Sequence, residues 1–123
     1  MSTFKVDVLQ SRSGGTTTFT GQVAAKQWCS FNTVTTTSMR NSFNTTSLTD
    51  NGTGDTTVTF TNAMADANYA FLLSVQGVAA GVVMITHAAS VTQNPTTTAT
   101  RVISLNTSFG VGDTPIVNQA IIT

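Results

Sequence analysis

Few side chains in this sequence could support acid–base or nucleophilic chemistry. Glutamate is absent, so proton transfer would depend on five aspartates, on the single histidine, His87, and on the single tyrosine, Tyr69. Counting residues leaves room for a Ser-His-Asp set, but no Gly-x-Ser-x-Gly elbow occurs to support it. A nucleophile pair of Cys29 and His87 has no supporting motif either. We therefore predict that the chain is not an enzyme and has no catalytic residues.

Residues that could bind a metal are equally scarce. One cysteine and one histidine cannot form a structural zinc site within a single chain, although His87 side chains from three symmetry-related chains could form one. Oxygen ligands for calcium surround a glycine turn at Asp50, Asn51 and Asp55. They lack the EF-hand spacing and its bidentate glutamate, and such residues ordinarily bond the backbone of their own turn. We predict no metal site and no cofactor. Cys29 is expected to be a small buried hydrophobe beside Trp28.

Charge and hydropathy exclude two classes of partner. Five basic and five acidic residues give a formal net charge of zero, which offers nothing to attract a phosphate backbone. The apolar stretch from Tyr69 to Ile85 is shorter than the roughly 20 residues of a membrane span. It is also interrupted by Ser74, Gln76, Gly77 and Gly81. We expect no nucleic-acid binding and no membrane insertion, and the first residues show no secretory signal.

Composition and spacing predict an all-β fold. Threonine makes up about a fifth of the chain, only 8% of the residues are charged, and strong helix formers are nearly missing. Seven or eight strands at hairpin spacing predict an antiparallel β-sandwich or a small jelly-roll-like barrel. We assign residues 23–123 to this domain. Residues 1–22 are predicted to form a short extended or β-hairpin segment that serves for attachment.

One hairpin and one strand anchor this prediction. The hairpin joins strands that end near Thr49 and begin near Thr56 through a four- to six-residue loop containing Asn51-Gly52. The strongly apolar run from Tyr69 to Val75 is predicted to be a central strand. Period-2 spacing predicts that the following side chains are mostly buried: Trp28, Phe31, Val58, Phe60, Tyr69, Phe71, Leu73, Met84, Val102 and Ile121. For Trp28, stacking on a ligand is the alternative to burial.

Several of these motifs occur together in one family. The motifs are Ala25-Lys26-Gln27-Trp28, Phe31-Asn32, Arg40-Asn41-Ser42-Phe43-Asn44, Ser47-Leu48-Thr49-Asp50-Asn51-Gly52-Thr53-Gly54-Asp55, Val58-Thr59-Phe60, Met64-Ala65-Asp66-Ala67-Asn68-Tyr69 and Ile116-Val117-Asn118-Gln119-Ala120-Ile121. In this order they resemble a module of tail-fibre and related appendage proteins of tailed bacteriophages. The opening residues 5–15 are similar to the starts of marine phage structural proteins. Gln27 and Cys29 stand where the module often has alanine and valine, and Thr57 and Thr59 stand where it often has tyrosine and asparagine. We place these differences on strand surfaces.

The resemblance implies a function without catalysis. It suggests a virion structural protein, part of a tail fibre or similar appendage that contacts the host surface, made in the host cytoplasm and located in the virion. Expected partners are other virion proteins and host surface polysaccharide. A capsid decoration or cement protein is the alternative. A small glycan hydrolase is a weaker third interpretation, because no carboxylate pair is evident.

Trimeric assembly is expected from the resemblance and from the residues themselves. Val82–His87 and Ile116–Ile122 are both apolar on two faces, and strands of that kind need cover on both sides. One side would be the core of the domain, and the other would be a second copy of the chain. We therefore predict a homotrimer, or at least an obligate oligomer.

Overall fold

The described residues fold into eight antiparallel strands that form two packed sheets, a β-sandwich and not a closed barrel. The computed structural model describes residues 25–76, 82–87, 95–106 and 108–123, with residues 82–87 described by their backbone only. The strands are β1 (Ala25–Asn32), β2 (Ser38–Phe43), β3 (Thr45–Gly52), β4 (Asp55–Phe60), β5 (Ala70–Val75), β6 (Val82–His87), β7 (Ala99–Asn106) and β8 (Val117–Ile122). The predicted all-β sandwich is confirmed. The predicted N-terminal segment, residues 1–22, lies outside the described residues.

The strand order shows how the chain alternates between the two sheets. The first sheet has the order β2-β1-β8-β5, and the second has the order β3-β4-β7-β6. The chain passes from the first sheet to the second at Asn44, a single residue between β2 and β3 with a φ of 54°. Asparagine tolerates this left-handed conformation better than most residues. The last strand, β8, then returns to lie between β1 and β5.

The core lies between the two sheets and follows the alternation of the strands. In β4, Thr56, Val58 and Phe60 are buried, whereas the intervening threonines are only half-buried. The buried apolar side chains are Cys29, Phe31, Val58, Phe60, Met64, Val102, Val117 and Ile121. Burial is therefore confirmed for five of the predicted core residues: Phe31, Val58, Phe60, Val102 and Ile121.

Other predicted core positions are wrong or only half right. Trp28 is 38% exposed, because Cys29 and Phe31 take the inward positions of β1 and alternation turns Trp28 outward. Tyr69, Phe71 and Leu73 are only partly buried against the core. The strand from Ala70 to Val75 is an edge strand of the first sheet and not a central one, which explains their incomplete cover. The Met84 side chain lies outside the described residues.

The hairpin between β3 and β4 is real but tighter than predicted. Both strands continue into the predicted loop, so that only Thr53 and Gly54 separate Gly52 from Asp55. The positive φ angles fall on Gly52 and Gly54, at 125° and 65°, and not on Asn51. Gly54 Nα donates a hydrogen bond to Asp113 Oδ1 at 2.6 Å, which ties the tip of the hairpin to the loop before β8.

Candidate functional site

The outward side of the first sheet carries a continuous row of exposed apolar side chains. Trp28 lies directly opposite Phe43 on one side and Ala120 on the other, and Ala120 lies opposite Leu72. Phe43, Trp28, Ala120 and Leu72, called here the apolar row, therefore cross all four strands. Phe43 is 55% exposed and Leu72 is 52% exposed. Large apolar side chains that adjoin one another on a surface are typical of contact sites.

The paired residues on either side of the apolar row form its borders. On one side, Ala25, Ile122 and Ala70 lie opposite one another in a second apolar line. On the other side are the small polar residues Asn41, Ser30, Asn118 and Ser74. Asn118 Nδ2 donates a hydrogen bond to Ser74 Oγ at 3.2 Å within this polar line. None of the four strands of this sheet contains an acidic residue, and the two cations are Lys26 and Arg40.

An open cleft at one end of the sandwich begins where the apolar row ends. The cleft, called here the end cleft, has a volume of about 750 Å³. Its walls include Lys26, Phe43, Asn44, Asn62, Met64 and Thr123. Phe43 belongs both to the apolar row and to the end cleft, so the two form one continuous surface. A volume of this size lies within the range of small-molecule binding sites, roughly 300–1,000 Å³.

The wall of the end cleft is fixed by Asn44. Its Nδ2 donates to the backbone oxygen of Lys26 at 2.9 Å and to that of Asn62 at 3.1 Å. Its Oδ1 accepts from the backbone nitrogen of Asn62 at 2.7 Å and from Asn62 Nδ2 at 3.2 Å. One side chain thus joins the start of β1 to the loop after β4. These four hydrogen bonds hold the start of β1 and the loop after β4 together at the wall of the cleft.

Two polar groups of the end cleft have no partner among the described residues. The Lys26 ammonium makes no ion pair or hydrogen bond there, and Asn62 Oδ1 accepts none. Both residues line the cleft. They offer a donor and an acceptor close to the exposed ring of Phe43.

The aspartates around the hairpin turn are engaged by protein groups. Arg101 Nε donates to Asp55 Oδ1 at 2.7 Å, and Arg101 Nη2 pairs with Asp55 Oδ2. These hydrogen bonds lower the pKa of Asp55. Asp50 accepts from Thr37 Oγ1 at 2.8 Å and from the Gly52 backbone nitrogen at 2.9 Å, and both bonds lower its pKa. Asp50 thus bonds its own turn, as the ordinary interpretation of these residues expects.

Cys29 and Tyr69, two of the other candidate reactive residues, have no hydrogen bond to these aspartates among the described residues. Among the described residues, no group of three or more histidine, cysteine or acidic side chains could hold a metal ion. Burial raises the pKa of the Cys29 thiol to about 11, and burial also raises the pKa of Tyr69 to about 12. The Tyr69 hydroxyl donates to the Thr96 backbone oxygen at 2.8 Å. His87 lies at the end of β6 opposite Val102, and its side chain is outside the described residues.

A buried polar chain crosses the core and was not foreseen from the sequence. Thr100 Oγ1 donates to Gln119 Oε1 at 3.1 Å, Gln119 Nε2 donates to Gln27 Oε1 at 2.9 Å, and Gln27 Nε2 donates to Thr45 Oγ1 at 2.9 Å. It links both sheets. Gln27 and Cys29 are 0% and 1% exposed, so their placement on a strand surface is wrong. The separate prediction that Cys29 is a small buried hydrophobe is confirmed. Gln27, like Cys29, takes an inward position of β1.

The sequence also gave no prediction that Phe43, Leu72 and Asn62 belong to the surface formed by the apolar row and the end cleft. The sequence contains their signal only as alternation within each strand, because the pairing register that aligns them is a property of the sheet.

Comparison of the chain with protein-family models, with curated proteins and with solved structures returned no match. Within the described ranges, no helix has the length and apolar character required to cross a membrane.

Proposed function

We propose that this chain is a non-enzymatic structural protein of a phage virion, part of a tail fibre or similar appendage that contacts the host surface. The observation that carries the proposal is the apolar row, which crosses one entire sheet with Phe43, Trp28 and Leu72 exposed and Ala120 half-buried. A flat face without carboxylates, bordered by amides and hydroxyls, is suited to contact with another surface. The motifs that resemble the appendage module contribute Trp28, Phe43 and Ala120 to this row.

The absence of catalysis is part of the proposal. Its support is that Asp50 and Asp55, two of the few acidic groups, are already bound by Thr37 and Arg101. Cys29 is buried with a raised pKa, which opposes formation of the nucleophilic thiolate. The test is incubation of the purified chain with host surface polysaccharide. Release of sugar fragments, abolished by His87→Ala or by an Asp→Asn change, would contradict the proposal.

Location in the particle is tested by counting copies. Mass spectrometry of purified particles, calibrated with labelled peptides of the chain, should give tens of copies per virion for an appendage protein. Hundreds of copies would favour the alternative, a capsid decoration protein, for which the first sheet, whose strands contain no acidic residue, is also suited. A chain that is absent from particles would contradict both.

We also propose that the chain assembles as a homotrimer. The support is β8, a central strand that is apolar on both sides: Val117 and Ile121 enter the core, whereas Ala120 and Ile122 lie on the outer side. Leu72 adjoins Ala120 and is exposed. Leu72→Lys would place a charge in an apolar contact between copies and should dissociate the oligomer.

Light scattering of the purified chain tests this assembly. The matched control is Ser74→Lys, which adds the same charge on the same strand in the polar line. A stable, folded monomer of 12.8 kDa at micromolar concentration would refute the trimer. Equal effects of the two lysine substitutions would show that Leu72 is not at the contact.

A further inference from the structure

We propose that the end cleft and the adjoining Trp28–Phe43 shelf form a saccharide-binding site. This inference rests on the proposed function and names the ligand class that the contact would recognise. The site consists of two exposed aromatic rings, a donor at Lys26, an acceptor at Asn62 and a cleft of about 750 Å³.

The aromatic shelf provides the apolar half of saccharide recognition. Trp28 and Phe43 are cross-strand partners on the outer side of the first sheet, 38% and 55% exposed. Directly paired residues on neighbouring strands have Cβ atoms about 4.5–5.5 Å apart, so the two side chains leave the same side of the sheet from adjacent positions. The C–H face of a sugar ring is apolar and packs against such rings. The shelf stays in place because Cys29 and Phe31 on the same strand are locked in the core.

The polar half is at the edge of the shelf. Lys26 lies two residues before Trp28, and Lys26 is the extra residue of the irregularity between β1 and β8. Its ammonium donates to hydroxyl or carboxylate oxygens. Asn62 Oδ1 accepts from a hydroxyl, and Asn44 holds the Asn62 backbone and amide in place at 2.7 and 3.2 Å. Sugars need donors, acceptors and an apolar face together, and this surface presents all three.

Other occupants fit the same observations less well. One cation beside the cleft is too little for a nucleic acid, which is bound through many phosphate contacts. A second copy of the chain fits better on Leu72 and Ala120, which lie at the opposite end of the apolar row. Taking roughly 200 Å² for each aromatic side chain, Trp28 and Phe43 together expose about 190 Å². This is far less than the roughly 800 Å² per partner of a stable protein interface.

The experiment uses an array of purified bacterial capsular and O-chain polysaccharides, followed by titration of each polysaccharide that binds. The chain has a single tryptophan, so a change in its fluorescence reports on Trp28 directly. We expect at least one polysaccharide to bind with a shift of this fluorescence. Phe43→Ala should weaken that binding about tenfold, and Lys26→Gln should weaken it further for polymers that contain uronic acids.

Controls separate this proposal from the proposed function. Val111→Ala removes an exposed apolar side chain that belongs neither to the apolar row nor to the end cleft, and it should leave saccharide affinity unchanged. Circular dichroism and light scattering establish that Phe43→Ala folds and assembles as the wild type does. Binding that is equally reduced by Phe43→Ala and Val111→Ala, or unaffected by Phe43→Ala, overturns the site. So does the absence of binding across the array, and neither result alters the copy number that tests the virion assignment.

Discussion

Replacing Gly54 with alanine should lower the free energy of unfolding by about 3–4 kcal/mol. Gly54 has a φ of 65°, in the left-handed region that alanine rarely adopts. A Cβ at this position would lie 2.6 and 2.7 Å from the Gly112 backbone nitrogen and oxygen and 2.9 Å from the Ser104 backbone oxygen. These are backbone atoms, which cannot rotate away as a side chain can. The loop that carries Gly112 must therefore move.

The magnitude follows from what that movement breaks. The left-handed backbone alone costs alanine about 1 kcal/mol. Displacement of the loop strains three hydrogen bonds: Gly54 Nα to Asp113 Oδ1 at 2.6 Å, Ser104 Nα to the Gly54 oxygen at 2.8 Å, and Gly112 Nα to the Ser104 oxygen at 3.0 Å. Each net hydrogen bond contributes about 1 kcal/mol. The loss is a large part of the roughly 5–15 kcal/mol by which domains are stable.

Urea unfolding followed by Trp28 fluorescence measures this loss, with all variants at one protein concentration because an oligomer makes stability concentration-dependent. Gly52→Ala is the matched control: its φ of 125° also strains alanine, but no atom lies within 4 Å of the added Cβ. Gly54→Asn is the second control, since asparagine tolerates positive φ yet carries the same Cβ. The reasoning is refuted if Gly54→Asn is as stable as wild type or if Gly54→Ala is no worse than Gly52→Ala.

Three further predictions concern the core and the titratable groups. Gln119→Leu should lower the free energy of unfolding, measured with urea, by about 2–4 kcal/mol, because it leaves the Thr100 hydroxyl and Gln27 Oε1 buried without a partner. A loss below about 1 kcal/mol would contradict a cooperative polar chain. Asp55 has a lowered pKa in the folded chain, so its stabilising contribution is present above the unfolded pKa of about 3.9 and is lost as pH falls through the folded pKa. The free energy of unfolding, measured with urea, should therefore fall less for Asp55→Asn than for the wild type between pH 5 and strongly acidic pH. If it falls equally in both proteins, Asp55 does not stabilise the fold through its charge. Cys29 is 1% exposed and its pKa is raised to about 11. The thiol should therefore not react with a thiol reagent at pH 8 in the folded chain, and it should react fully once the chain is unfolded in urea. Rapid labelling of the folded chain would show that the core opens locally.

Local pattern was sufficient for the strands but not for the site. Val58 and Phe60, two residues apart among threonines, indicated a half-buried strand, and both are buried in β4. Asn51 and Gly52 indicated the hairpin, although the positive φ angles belong to the two glycines. Phe43 and Leu72 gave no comparable signal, because an apolar residue in a strand is equally compatible with either side of the sheet.

Trp28 illustrates the same limit at one position. Its size favoured burial, and the adjacent Cys29 and Phe31 did not reveal which side of β1 would face the second sheet. Alternation requires only that Trp28 and Phe31 point to opposite sides. Phe31 packs in the core, and Trp28 therefore lies on the outer side of the sheet, opposite Phe43.

The sequence by itself determined the fold class, the positions of most strands and the presence of the hairpin, since these depend on residue preferences and on spacing within a few positions. It also determined the scarcity of charged and reactive groups. The tertiary structure alone decided which strands are neighbours, placing β8 between β1 and β5 and making β5 an edge. That pairing aligns Phe43, Trp28, Ala120 and Leu72 from four separate strands, and it joins Gln27 to Gln119 across 92 positions of sequence. Contacts over such separations arise from the packing of whole sheets, which no local pattern encodes.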